Sequence, residues 1–421
     1  MSTHRKSRAA RRQFLRNAAV LGGAAALGFP MISRAQAKPI KIGMPTILSG
    51  RVAQLGTSSR NAVMMEVDKF NAAGGLGGRK IEMVIRDSKG QPQEAARVSR
   101  ELINSDGCEI LYDCEASSGA FAVHEVARDL GVLCIHICSE TSSLTADPKI
   151  RIPNAFRSCR QGIHDSIVGG NYAATVAKAK NLRKWMTCSP DYAYGRDTTG
   201  QYLEYAKVFF PEFEIVGEAW PKLFQPDYTE VITKILQTKP QALYSALWGG
   251  DLTSYIDQGN IYGLFANVQF FAVNLADYTV ITAVKNLPAG IHSGNRYIKT
   301  FPRNKQNAEW ADAYRAKYKE YPTNWAWQSA TGMQFLTTAM KKANSSDGKK
   351  LAETLRGMKI DSPFGADGTI TMRGTDQTII GYATGWGTTI SKEPYLPEVK
   401  EGEWKMILDL EADWKRRNNY T

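Results

Sequence analysis

Cysteine is scarce, with six residues in 421, and no Cys-x-x-Cys or His-x-x-x-His pair occurs. That excludes a disulfide-built miniprotein and gives a zinc site no ligand spacing to start from. No stretch after residue 37 approaches the 18 uninterrupted apolar residues of a membrane span. No Gly-x-Ser-x-Gly turn follows a strand and no Gly-x-x-x-x-Gly-Lys loop is present, so the commonest hydrolase and phosphate-binding signatures are missing. Acidic residues are the minority charge, 41 against 53 basic for a net of +12, which taken alone would suggest a nucleic-acid partner. Residues 1–37 account for most of that excess: they hold seven basic residues and no acidic one, leaving 46 against 41, or +5. A nucleic-acid partner is therefore not expected.

What is present begins with the parts of an export signal. A basic stretch carries the twin arginines Arg11 and Arg12 with Gln13, Phe14 and Leu15 behind them; an apolar run spans 18–29, and Ala35-Gln36-Ala37 is a small-residue cleavage triplet. A dozen apolar residues are too few to cross a bilayer. No cysteine stands at the expected cut to take a lipid. The expectation is a protein exported by the twin-arginine route, soluble and unanchored in the periplasm; the alternative reading of 1–37 is an amphipathic helix.

From residue 38 short apolar runs alternate with amphipathic segments. The pattern predicts strands over 40–48, 81–86, 108–113 and 132–137, with helices over 58–72, 93–105 and 118–130 between them. It then starts again, with strands over 184–188, 213–218, 242–247, 268–273 and 290–297 and helices over 198–210, 228–237 and 252–262. Helices over 308–321, 325–343 and 349–358 follow, then short strands and turns. Repeated strand–helix–strand units imply parallel pairing with right-handed crossovers, and hence an α/β fold of two doubly wound, Rossmann-like lobes. Ligands of such sheets sit beyond the carboxyl ends of the strands.

The most informative spot there is Ala116-Ser117-Ser118-Gly119, which follows one predicted strand and opens a helix. Unpaired amides at a helix start attract an anion such as a carboxylate. A serine in that place can equally be a helix cap. The next strand ends in His136-Ile137-Cys138-Ser139-Glu140, where alternation would put His136, Cys138 and Glu140 on one face.

Six segments together resemble a known family: Ser49-Gly50 with Gly56, Asn71 to Gly75, Arg86-Asp87-Ser88, Ala116 to Gly119, Asp191 to Arg196, and Pro363-Phe364-Gly365. In order and spacing they are similar to the type I periplasmic solute-binding proteins of ABC transporters, the leucine/isoleucine/valine-binding group, over nearly all of 38–421. The resemblance implies two lobes joined by three crossing strands. With the predicted elements it places lobe 1 at 38–157 plus 298–372 and lobe 2 at 158–297 plus 373–421. It implies a monomeric receptor without cofactor or catalysis, which closes on a small ligand and delivers it to membrane permease subunits. Position by position, it implies a carboxylate held by Ser117 and the amides of Ser118 and Gly119. Cys138 and Glu140 fall where the head-group site is completed, Tyr194 where a tyrosine covers the ligand, and Trp248 and Trp325 near aromatic walls.

Two departures affect the ligand. The family's ammonium-binding glutamate aligns with Asn274, and Glu140 replaces a threonine, so Glu140 either restores that charge from the opposite lobe or reads another donor. Leu55 stands where some members place a tyrosine. Aromatic walls bury flat ligands well, and an amino acid, an aromatic acid and an amide all remain open.

Other readings rank below this one. Cys134, His136 and Cys138 alternate and are of the soft ligand types that suit zinc or copper, though buried cysteine ordinarily behaves as a small apolar residue. Cys114 falls beside Cys138 on a neighbouring strand, where a cross-link between parallel strands is awkward, so free thiols are expected. A hydrolase using Cys138 and His136 would have to bridge about 7 Å along one strand. A ligand sensor of the same fold, feeding a regulator, is a further alternative. Tyr314, Tyr318 and Tyr321 recur at core spacing on a helix, and Lys415-Arg416-Arg417 reads as a solvated tail.

Overall fold

The computed structural model describes residues 38–420; the expected export signal lies outside them. Five parallel strands form the first sheet: β1 (Ile40–Thr46), β2 (Ile81–Asp87), β3 (Ile110–Asp113), β4 (Leu133–His136) and β5 (Ala155–Arg157), in the order β2-β1-β3-β4-β5. Ile42, Gly43, Met44, Pro45 and Thr46 of β1 are buried in succession, as befits a strand covered on both faces.

The second sheet repeats the plan with β6 (Lys184–Cys188), β7 (Glu214–Ala219), β8 (Ala242–Ser245), β9 (Gln269–Ala272) and β11 (His292–Tyr297), ordered β7-β6-β8-β9-β11. The short β10 (Ala276–Asp277) pairs with β11. After a small antiparallel sheet of β12 (Lys359–Asp361), β13 (Thr369–Met372) and β14 (Ile379–Ile380), the chain returns to this sheet. There β15 (Gly385–Thr388) and β16 (Lys400–Glu401) extend it antiparallel beyond β11. In each sheet the first strand lies between the second and the third. The connections leave it in opposite directions, and this switch point opens a crevice at the carboxyl edge.

The same local device follows the first strand of each sheet. The helices Gln54–Ala72 and Ala193–Phe209 start by doubling back on the preceding loop. A Cβ on Gly56 would strike the carbonyl of Ile47, and one on Gly195 that of Pro190. Only glycine fits either place.

Two long helices depart from the sequence expectation, apart from three four-residue helices at Ser143–Ala146, Leu264–Asn267 and Tyr278–Ile281. Gly162–Lys180 has no counterpart in it, because Gly162, Gly169 and Gly170 weaken a helical reading. Here glycine serves close packing: a Cβ on Gly169 would lie 2.7 Å from the Trp386 ring, and one on Gly170 2.8 Å from Tyr205 Cβ. The expected solvated tail is instead the end of helix Trp404–Arg417, which buries Ile407, Glu411 and Trp414. Lys415 is no free cation, since it bridges Asp376 at 2.7 Å and Glu411 at 3.1 Å. Tyr314 is buried, and the Tyr318 hydroxyl donates to the Asn61 carbonyl at 2.8 Å. Among the described residues no helix is long and apolar enough to cross a membrane.

Candidate ligand-binding cleft

The loops at the two switch points enclose a cleft with about 480 Å³ of empty space, the open solvent at its mouth included. From the first sheet come Leu55 after β1, Ala116 and Ser117 after β3, and Cys138 and Glu140 after β4; Asn324 and Trp325 join them from helix Asn324–Ala343. The second sheet supplies Tyr192 and Tyr194 after β6, Trp248 and Gly249 after β8, Asn274, Asp277, Thr279 and Val280 after β9, and Arg296 from β11. Eight of the ten residues singled out in the sequence thus line one space: Leu55, Ser117, Cys138, Glu140, Tyr194, Trp248, Asn274 and Trp325.

Ser118 and Gly119 do not line it. They lie behind Ser117 in the first turn of helix Ser117–Leu130, whose preceding residue Ala116 is extended and offers no side-chain cap. Ala120 is the first residue of that turn whose amide reaches back to a backbone carbonyl, that of Ala116. The three amides before it have no acceptor within the helix. Ser117 is buried and its hydroxyl accepts a hydrogen bond from Ser139 at 3.3 Å, so it does not cap its own helix.

The β4 edge differs from simple alternation because the strand ends at His136. His136 turns away from the cleft. Its Nδ1 lies 2.5 Å from Asp113 Oδ2 and its Nε2 3.0 Å from His124 Nδ1. Burial pushes both imidazoles down to about 3. Cys138 faces the cavity, 3.3 Å from the Cys114 sulfur and 3.6 Å from the Ser59 hydroxyl. All six cysteines are free and buried, and burial, reinforced by Cys114, pushes the Cys138 thiol well above its ordinary range. Cys138 and His136 therefore make no thiol–base pair.

Glu140 sits at a charged crossing between the two sheets. Its Oε1 accepts from Arg296, from Asn324 Nδ2 at 3.0 Å and from Gln328 Nε2 at 3.2 Å. Its Oε2 is buried without a partner among the described residues. Arg296 also donates to Asp165 Oδ2 at 2.5 Å, and Arg160 donates to Asp165 Oδ1 at 2.8 Å. Burial alone would weaken the Arg296 cation, but Glu140 and Asp165 hold its pKa well above the usual arginine value. Asp277 Oδ2 accepts the Asn324 amide at 2.6 Å and its Oδ1 the Thr279 amide at 2.8 Å. Arg296, Asp277 and Tyr192 were not legible as site residues. Arg296 is 156 residues from Glu140 and 131 from Asp165, and the one available hint was a charge near the end of the strand predicted over 290–297.

From the second sheet, Asn274 is spent on structure. Its Nδ2 donates to the carbonyls of Ala246 at 3.2 Å and Leu247 at 3.1 Å, and its amide shares a hydrogen bond with the Tyr194 hydroxyl. Trp248 meets Trp325 edge-on with ring centres 5.8 Å apart. Arg51, in the loop after β1, donates to Ser254 Oγ at 2.7 Å on the helix after β8. These contacts join the two sides of the cleft.

Comparison with known proteins agrees with this architecture. The family described as "Periplasmic binding protein" matches residues 39–384, and the chain belongs to it. It is a family of type I solute-binding receptors that work with ABC transporters, with two α/β lobes. The chain is 25% identical over 365 residues to Leu/Ile/Val-binding protein homolog 4 of Brucella abortus (strain 2308), covering 81% of this chain and 82% of that protein. It is 25% identical over 343 residues to the leucine-, isoleucine-, valine-, threonine- and alanine-binding protein of Pseudomonas aeruginosa, covering 80% and 87%. Among solved structures, it superposes on a solute-binding protein of an ABC transporter from Rhodopseudomonas palustris BisB5 in complex with 3,4-dihydroxybenzoic acid. The TM-score is 0.77 at 23% identity, covering 86% of this chain and 96% of that one.

Proposed function

We propose that this solute-binding receptor captures a small carboxylate-bearing ligand in the cleft, outside the cytoplasm, and presents it to the permease subunits of an ABC importer. One observation carries the reading: the unpaired amides that open helix Ser117–Leu130 meet the cavity at Ser117, at the switch point of the first sheet. There the helix dipole and free N–H groups favour an anion. Leu55, Tyr194, Trp248 and Trp325 supply apolar walls for the rest of the molecule. Relatives named for amino acids and a fold neighbour that holds a dihydroxybenzoate both support a carboxylate.

In this reading the protein is a monomer that performs no catalysis and binds neither cofactor nor nucleic acid. Residues 1–37 direct twin-arginine export to the periplasm. Lobe 1 comprises 38–157 and 298–372, and lobe 2 comprises 158–297 and 373–421, so that closure brings Tyr194 and Trp248 over a ligand seated at Ser117. The test is a thermal-shift screen of ligand-stripped protein, since a ligand that binds only the folded state raises its melting point. Leucine, phenylalanine, benzoate and 4-hydroxybenzoate are compared with their uncharged amides. A carboxylate is expected to raise the melting point and its amide not to. Stabilisation by amides alone would reject the seat at Ser117.

A further inference from the structure

We propose that Cys114 and Cys138 are a redox-active dithiol at the cleft wall, which a low-molecular-weight disulfide entering the cleft oxidises to a cross-link between the loops after β3 and β4, whichever solute the cleft carries. The two sulfurs lie 3.3 Å apart. The last paired residues of the strands before them are Asp113 and His136. Both cysteines therefore stand beyond this ladder, where the geometry that disfavours a bridge between neighbouring parallel strands no longer applies. A bond at about 2.05 Å asks each sulfur to move by roughly 0.6 Å, a shift within reach of side-chain rotation.

Access separates the roles of the two thiols. Cys138 lines the cleft and is 6% exposed, whereas Cys114 is 0% exposed and lies behind it. A reagent in the cleft meets Cys138 first, and Cys114 is the thiol in contact to resolve what forms there. The nearby cysteines are engaged elsewhere: Cys159 donates to the Ser139 carbonyl at 2.8 Å, and Cys134 lies 3.8 Å from His136 Nε2. Burial keeps the Cys138 thiol well above its ordinary range, so the attacking thiolate is scarce and exchange takes hours instead of seconds.

The chemistry is thiol–disulfide exchange in two steps. The Cys138 thiolate attacks one sulfur of the small disulfide, forming a mixed disulfide and releasing a thiolate that takes up the proton Cys138 gave up. Cys114 then attacks the Cys138 sulfur; the second small thiolate leaves and takes up the Cys114 proton. The protein loses two protons and two electrons, and the oxidant is reduced to two thiols. The bond joins residues 24 apart in sequence and ties the loop leading to Ser117 to the loop that carries Glu140. Oxidation thereby fixes the spacing of the cleft wall on the first-sheet side.

The experiment incubates native wild-type protein, reduced and then freed of reductant, overnight with excess hydroxyethyl disulfide. The reaction is quenched with acid, and the protein is unfolded, alkylated with N-ethylmaleimide and mapped by mass spectrometry without reduction. Four of the six thiols are expected to be alkylated, with a cross-linked pair of peptides joining Cys114 to Cys138, and dithiothreitol should restore all six. Cys114→Ser should keep one mercaptoethanol adduct, on Cys138. Cys138→Ser should form neither the cross-link nor an adduct on Cys114, with circular dichroism reporting the fold of both variants. The wild-type map decides the matter even if a variant does not fold. Six alkylated thiols in the wild type, an adduct retained there on Cys138, or a cross-link through Cys159 or any other cysteine overturns the assignment of the pair.

Discussion

Replacing Arg296 by Met should destabilise the protein by about 3 to 5 kcal/mol at pH 7, the usual cost of stripping the partner from buried charges. Arg296 is 5% exposed and bridges Glu140 and Asp165, which are equally buried. Neither carboxylate is left wholly unpaired. Asp165 keeps Arg160 at 2.8 Å and Thr384 at 3.0 Å, and Glu140 keeps Asn324 and Gln328. These residual partners place the loss near the lower end of the range. In the native protein burial would raise the Asp165 pKa, but Arg160 and Arg296 bring it below the ordinary value. A depressed carboxyl contributes stability above its unfolded pKa and loses it as pH falls through the folded one. Without Arg296 the folded Asp165 carboxyl binds its proton more readily, so the gap between variant and wild type must narrow on acidification, by up to about 1.4 kcal/mol per pH unit from this residue. Urea unfolding followed by tryptophan fluorescence at pH 7 and at about pH 3.5, below the ordinary pKa of an unfolded aspartate, measures both effects. Lys405→Met, which removes a pair exposed to 87% and 64%, should leave the midpoint unmoved. A loss below about 1 kcal/mol, or one of equal size at both pH values, would refute the account of the cluster as a charge bridge.

Ser117→Ala should weaken ligand binding by about 1 to 3 kcal/mol, the cost of leaving a charged acceptor short of a donor; calorimetry showing unchanged affinity counts against the seat. His292 is buried, pushed down by burial to about 4, and bonded through Nδ1 to Tyr172 at 3.0 Å. Because the unfolded imidazole takes its proton near pH 6.5, the unfolded state holds more protons between pH 4 and 6.5. Stability should therefore fall as pH drops through that window, by up to about 1.4 kcal/mol per unit from this residue. Denaturation curves for His292→Gln should show a shallower pH slope, and an identical slope would exclude the effect.

The alternation of apolar strands with amphipathic helices made both sheets legible before any coordinates, because the side-chain periods of 2 and 3.6 are local properties of the chain. Ser117 was legible for the same reason, standing where a parallel sheet presents its ligand, whereas Cys138, Tyr194 and Asn274 were singled out through the family resemblance. Glycine misled at Gly162–Lys180, since a local propensity cannot register that Trp386 and Tyr205 press against that helix from afar. Alternation misled at His136, whose strand stops early and whose ring finds Asp113 and His124 instead of the cleft.

Sequence by itself determined the fold class and the repeated plan, which follow from spacing along the chain, while most residues of the cavity wall came from the family resemblance. Tertiary structure alone decided the charges of the site. Arg296 meets Glu140 and Asp165 across more than a hundred residues, and Asn274 is committed to Tyr194. Which oxygen of Glu140 is left free depends on donors brought together only when both sheets have folded.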